Sequence, residues 1–171
     1  SQAMRAEART VLAGGIASSW QDAPPCAVWI ERGEGSKLWD VDGTEMIDFH
    51  NGFGSMVQGH AHPAITKAVQ ERVALGTHFA APMEDDIVVS DELAKRFGLP
   101  DWRYVNSGSE ATMDAIRIAR ALTGNDTIVK IFGSYHGHHD YVMVSIGVPY
   151  AKIGDRENYL SLPYGAGIPQ S

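Results

Sequence analysis

The chain has 171 residues, with 14 lysines and arginines against 21 aspartates and glutamates, so its net charge is −7. That length fits a single domain with a core of its own, and the acidic balance argues against a nucleic-acid backbone as the main partner. No apolar run approaches the ~18 residues of a membrane span, no secretory signal stands at the start, and the single cysteine excludes an internal disulfide framework and fits a reducing, cytoplasmic compartment.

Residues 1–13 read as a helix, with Met4, Ala8, Val11 and Leu12 on one stripe and Arg5, Glu7 and Arg9 on the wet side. Gly14 and Gly15 stop it. Residues 16–26 read as loop, and Cys26, beside Pro24 and Pro25 with no local base, reads as inert. Runs 27–31, 37–41 and 45–49 read as strands of a small antiparallel sheet. Asp42-Gly43 between the last two predicts a type I′ hairpin, which needs positive φ at both central residues. Residues 51–54 read as loop.

Pro63 opens a helix with Ile65, Val69 and Val73 on one face, a Lys67–Glu71 pair, and a stop at Gly76. A second helix covers 84–97, carrying Ile87, Leu93, Ala94 and Phe97 and ending at Gly98 and Pro100. The pattern then becomes strand (102–105), helix (109–122) and mostly buried strand (127–132). In that helix Ala111, Ala115, Ile118, Ala119 and Leu122 face the core, while Asp114, Arg117 and Arg120 face water. Strand, helix, strand is a βαβ unit, the start of a parallel sheet. Beyond Gly147 the composition is that of loop, and the Gly- and Pro-rich tail 161–171 reads as mobile.

Three stretches could carry chemistry. Ser107-Gly108-Ser109-Glu110 lies between a strand and a helix, where free N–H groups and the positive dipole end favour a phosphate. The same residues have the S-x-x-E spacing of a capping box, which needs no ligand, and both readings are open. Tyr135-His136-Gly137-His138-His139-Asp140 follows the next strand. Ligands of parallel sheets bind beyond the carboxyl ends of strands, so this segment and the serine loop can share a site. Tyr135 there can stack on a flat ring. The histidines have no established metal-ligand spacing, which points to structural roles for His138 and His139 and to no metal. His60-Ala61-His62 before Pro63 is read as packing and hydrogen bonding. No G-x-G-x-x-G or G-x-S-x-G sequence is present.

Taken in order, Leu38-Trp39-Asp40-Val41-Asp42-Gly43, Gly59-His60-Ala61-His62-Pro63, Asn106-Ser107-Gly108-Ser109-Glu110-Ala111-Thr112-Met113, Ala115-Ile116-Arg117, Ala119-Arg120, Thr123-Gly124 and Tyr135-His136-Gly137 resemble the class III aminotransferases. These are enzymes of pyridoxal 5′-phosphate (PLP), and within them the chain looks most like the glutamate-1-semialdehyde 2,1-aminomutase branch. The resemblance implies an α/β fold, PLP-dependent transferase fold type I. Residues 1–62 would belong to the small domain, with its antiparallel strands, and 63–171 would form the first part of a large, mostly parallel PLP-binding domain. It implies that Ser107, Gly108 and Ser109 cradle the PLP phosphate, that Tyr135 stacks on the pyridine ring with His136 close by, and that Ser19, Trp20 and Phe53 line the substrate entrance. It also implies a pyridoxamine 5′-phosphate form in the cycle, a small amino acid or amine as substrate, and a homodimer.

Two departures matter. Phe53 stands where the branch tends to have tryptophan and Gly52 where it tends to have serine, which brings a transaminase of β-, ω- or D-amino acids or amines within reach. The lysines are Lys37, Lys67, Lys95, Lys130 and Lys152. None lies in the family's motif for the lysine that bonds PLP, so the resemblance assigns no catalytic residue to this chain. A non-catalytic α/β module binding some phosphorylated ligand is the alternative.

Overall fold

A computed structural model describes residues 2–22, 27–155 and 157–169, with 158 and 159 described by backbone alone. Pro24, Pro25 and Cys26 lie outside the described residues. The chain divides into two units, one up to Pro82 and one from Met83 onward.

In the first unit, helix α1 (Gln2–Val11) buries Ala8 and ends before a 3-10 turn, Ala13–Gly15, in which Gly14 takes φ +71°. Strands β1 (Ile30–Glu34), β2 (Lys37–Asp40) and β3 (Glu45–Ile47) form an antiparallel sheet in the order β1-β2-β3. The registers pair Gly33 with Leu38 and Leu38 with Met46. β1 starts at Ile30, later than the residue types suggest, and its register shifts between Ile30 and Arg32; ahead of it, Trp29 still accepts from the Val41 N–H at 2.9 Å. Arg32 lies 3.5 Å over the Trp39 ring, a cation–π contact across the ladder.

The hairpin falls at Asp42-Gly43 as expected, but its turn is not type I′. Gly43 is left-handed (φ +84°) and Asp42 is not. Gly43 N–H donates to Asp40 O at 3.0 Å and Asp40 N–H to Thr44 O at 3.1 Å, the pattern of a type I turn followed by a glycine bulge. The buried Asp40 carboxylate decides this, since its Oδ1 accepts from the N–H groups of Asp42 (3.0 Å) and Thr44 (2.7 Å).

Residues expected to be loop form one turn, α2 (Asn51–Gly54), that is left-handed throughout: φ is +53° at Asn51, +54° at Gly52, +57° at Phe53 and +86° at Gly54. This conformation costs a residue with a Cβ about 1–2 kcal/mol. Helix α3 (Pro63–Val73) has Pro63 in its first turn, and the Lys67–Glu71 pair forms. Ile65, Val69 and Val73 stay roughly half exposed.

In the second unit, α4 (Glu84–Phe97) begins with three acidic residues, ends with Lys95 and Arg96, and is capped by left-handed Gly98, so its charges complement the helix dipole. Its far end packs Phe97 against Trp102, and Ser90 Oγ hydrogen-bonds Tyr104 Oη at 2.7 Å. Helix α5 (Gly108–Thr123) ends at left-handed Gly124. Two short strands, β4 (Gly154–Asp155) and β5 (Asn158–Tyr159), pair antiparallel.

Residues 102–105 and 127–132 form no ladder; a parallel strand exists only where a neighbour supplies its hydrogen bonds, and no described strand lies beside either run. Val129 is 97% exposed rather than buried. On α5, Ile118 and Leu122 are exposed, while Arg120 is half-buried, donating to Asp126 O at 2.8 Å and lying over the Tyr141 ring. Among the described residues of this unit the buried side chains are those of Val142, Met143, Ser145 and Ile146. Residues 162–164 of the tail expected to be mobile dock on them: Ser145 N–H donates to Leu162 O at 2.7 Å and Tyr164 N–H to Met143 O at 2.9 Å.

Asp40→Ala strands two turn N–H groups without their acceptor, and is expected to cost about 1.5–3 kcal/mol. Urea unfolding measures it, and a loss below about 0.5 kcal/mol contradicts the role given to Asp40.

Candidate functional site

The first turn of α5 answers the question left open between capping box and anion site. Ser107 is the N-cap, and its Oγ accepts from the Glu110 N–H at 3.2 Å. Glu110 reaches back one residue further than in the usual box, its Oε2 accepting from the Asn106 N–H at 2.5 Å. The cap therefore satisfies the third N–H of the helix. The first two, on Gly108 and Ser109, find no acceptor among the described residues. The cap is formed and the anion-binding groups are left over, so the two readings are compatible.

The hydroxyls fit the same use. Ser107 Oγ and Ser109 Oγ each accept one backbone N–H, from Glu110 and from His138 (2.8 Å), which leaves each O–H a proton to donate. Gly108 is exposed, and a Cβ built on it meets nothing within 4 Å. The cradle thus offers two N–H donors, two O–H donors and open space above the glycine, a donor set that fits a phosphate.

The structure brings the Tyr135 segment to this turn. His138 N–H donates to Ser109 Oγ, Thr112 Oγ1 donates to His136 O at 2.6 Å, and Thr112 Oγ1 also lies 3.2 Å from His139 Nε2. Gly137 is buried at φ +117°, and a Cβ on it would come within 2.7 Å of Ser109 Cα. Only glycine allows this approach. Gly137 therefore serves the contact between loop and helix, and it carries Tyr135 and His136, both exposed on the surface, to the α5 N-terminus. His139 has the structural part expected of it, and its Nδ1 is buried without a partner among the described residues.

The loop is tied down on its other side as well. Lys130 Nζ donates to Ser134 O (2.6 Å) and Val144 O (2.7 Å), and Gly133 N–H donates to Ser145 O. Burial lowers the Lys130 pKa. A cavity of about 900 Å³ elsewhere in this unit is lined by Arg120, His139 and Tyr141 among others and by none of the serine-loop residues.

Ser19, Trp20 and Phe53 belong to the first unit. Ser19 opens a 3-10 turn (Ser19–Gln21), Trp20 is half exposed, and Phe53 projects from the left-handed turn α2. His60, read as a packing histidine, pairs with Asp48 at 2.7 Å, and His62 is the N-cap of α3. Sequence reasoning missed Thr112, Lys130 and Asp48. Thr112 could have been found, since it lies one helical turn beyond Gly108 and Ser109 on the same face; Asp48 and Lys130 act through partners with no fixed spacing.

Gly137→Ala forces a methyl against the α5 backbone and is expected to cost about 2–4 kcal/mol. Thermal unfolding of the variant reads this, and an unchanged melting temperature contradicts the close approach.

Residues 17–155 match the family described as aminotransferase class-III. A glutamate-1-semialdehyde 2,1-aminomutase of Methanopyrus kandleri is 40% identical over 165 residues, which are 96% of this chain and 37% of that protein. Among solved structures, an omega-transaminase from Sphaerobacter thermophilus is 36% identical with a TM-score of 0.88, over 98% of this chain and 38% of its own. A transaminase with PLP bound is 34% identical with a TM-score of 0.86, over the same shares of the two chains. The chain therefore spans little more than a third of the length of these relatives, and its fold is that of the first part of a fold type I enzyme. With the matched segment running through the serine turn and the Tyr135 loop, the chain belongs to the class-III aminotransferase family.

Proposed function

We propose that this chain is part of a PLP-dependent aminotransferase or aminomutase, close to glutamate-1-semialdehyde aminomutase, which moves an amino group between a small amino acid or amine and a carbonyl compound. The observation that carries the proposal is the α5 N-terminus, where Gly108 and Ser109 keep free N–H groups beside two donating hydroxyls. Membership of the family favours this enzyme over a stand-alone phosphate-binding module.

In this reading the N–H groups of Gly108 and Ser109 and the hydroxyls of Ser107 and Ser109 hold the PLP phosphate. Tyr135 covers one face of the cofactor ring with His136 beside it, and Gly137 and Thr112 keep that loop on the helix. When bound, PLP supplies the electron sink and the group that carries the amine. The chain's own residues bind and orient; none of its lysines lies in the motif for the lysine that bonds PLP. Residues 1–62 then belong to the small domain and 63–171 to the first part of the large domain. Ser19, Trp20 and Phe53 line the substrate entrance of a cytoplasmic homodimer. Phe53 and Gly52, in place of tryptophan and serine, support a transaminase of β-, ω- or D-amino acids or amines as the nearest neighbouring activity.

The full-length protein is expected to show a visible absorbance band with PLP that borohydride reduction abolishes. Gly108→Ala separates the phosphate role from a purely structural one. A methyl there meets no protein atom, and alanine suits a helix better than glycine, so the melting temperature holds or rises. The PLP dissociation constant is expected to rise about tenfold, because the methyl occupies the approach to the two N–H groups. Unchanged PLP affinity refutes this placement of the phosphate.

A further inference from the structure

We propose that Asp48 and His60 form a positioning pair whose job is to hold the left-handed turn α2 and so fix the direction of the Phe53 side chain. The inference rests on the proposed place of Phe53 at the substrate entrance and adds what determines that place.

The turn needs an external hold. Four consecutive residues, Asn51 to Gly54, have positive φ; Phe53 carries a side chain that disfavours it strongly, and Asn51 carries a smaller penalty that glycine would not. Packing does not supply the hold, because the Phe53 ring is 72% exposed. Hydrogen bonds do. Asp48 Oδ1 accepts from the N–H groups of His50 (2.8 Å) and Asn51 (2.9 Å), which fixes the entry to the turn. His50 continues the hold: its Nδ1 accepts from the Phe53 N–H at 3.3 Å, and its ring meets the Phe53 ring edge-on with centroids 4.1 Å apart.

The other end of the device is anchored in the sheet. His60 Nε2 lies 2.7 Å from Asp48 Oδ2, with the two side chains only 20% and 6% exposed. The His60 backbone exchanges two hydrogen bonds with Gly35, from Gly35 N–H at 2.9 Å and to Gly35 O at 2.8 Å. Its ring lies on Gly33, where a Cβ would come within 2.7 Å of the ring. The connection thus runs from β1 through the His60 ring to the Asp48 carboxylate, then to the Asn51 N–H and along the turn to Phe53. The His60 hydrogen bond, followed by the Asn51 N–H, also holds the Asp48 carboxyl below its ordinary pKa. The hold is therefore complete above the ordinary aspartate range and is lost as pH falls through the lowered value.

The test uses the full-length protein with PLP. In Asp48→Asn one acceptor oxygen replaces two. Amide hydrogen exchange at residues 51–54 is expected to speed up about tenfold, and KM for the amino donor to rise about tenfold with kcat within twofold, the size set by losing one charge-assisted hydrogen bond. Adding Asn51→Gly, which removes the left-handed penalty at the first residue of the turn, is expected to restore most of both. Unchanged exchange in Asp48→Asn overturns the proposal. Faster exchange that Asn51→Gly does not rescue also overturns it, since the pair would then support the fold at large rather than this turn. Faster exchange with unchanged KM overturns the specificity role. A wild-type protein without the PLP band sinks the proposed function separately, and the exchange measurement still decides whether the pair holds the turn.

Discussion

The backbone of Gly137 lies so close to Ser109 that no methyl group fits between them. The cofactor reading of the second unit depends on this contact. It lets a loop 28 positions along the chain settle on the first turn of α5, where three hydrogen bonds secure it: Ser109 with His138, and Thr112 with His136 and with His139. A helix N-terminus alone binds anions of many kinds. An N-terminus with a tyrosine-bearing loop fastened beside it can hold a phosphate and a flat ring together, which is what PLP requires. The Lys130 and Ser145 contacts complete the same task from the opposite side of the loop.

The first unit uses glycine in the same way. Gly33 makes room for the His60 ring, and Gly59 passes so near Gly35 that a Cβ would meet its backbone at 3.0 Å. Both bring the segment before α3 down onto β1, and His60 then reaches Asp48. In each unit a small residue allows a close approach that brings hydrogen-bonding groups together beside an exposed aromatic: Tyr135 in one case, Phe53 in the other. The glycine excess of the sequence is a record of these approaches as much as of turns.

What was legible in the sequence followed from local rules. α4 and α5 carry their charge bias and stop glycines within a few residues, and the structure places them there; α3 starts at Pro63 as expected but ends at Val73, before Gly76. The hairpin was located for the same reason, but its turn type was not, because it depends on where the Asp40 carboxylate is buried rather than on Asp42-Gly43 alone. Strands 102–105 and 127–132 failed for a physical reason: β composition favours extended chain, whereas a ladder needs a neighbour, and no pattern within one segment reports that. The α5 core face failed likewise, since amphipathicity says which stripe is apolar and not whether anything covers it. The buried cluster of Val142, Met143 and Ile146 sits in a stretch with neither helix nor strand periodicity. The motif pointed to the serines, Tyr135 and His136 as the proposed cofactor contacts; the roles of Thr112 in the second unit and Asp48 in the first were not legible, because they act on partners 24 and 12 residues away.

The proposed seat of the cofactor phosphate is the α5 N-terminus, and a crystal structure of the full-length protein with PLP tests it. Phosphate oxygens are expected about 3 Å from the N–H groups of both Gly108 and Ser109, with the Tyr135 ring against the pyridine. A phosphate bound by other groups, with those two N–H donors left to water, would contradict it.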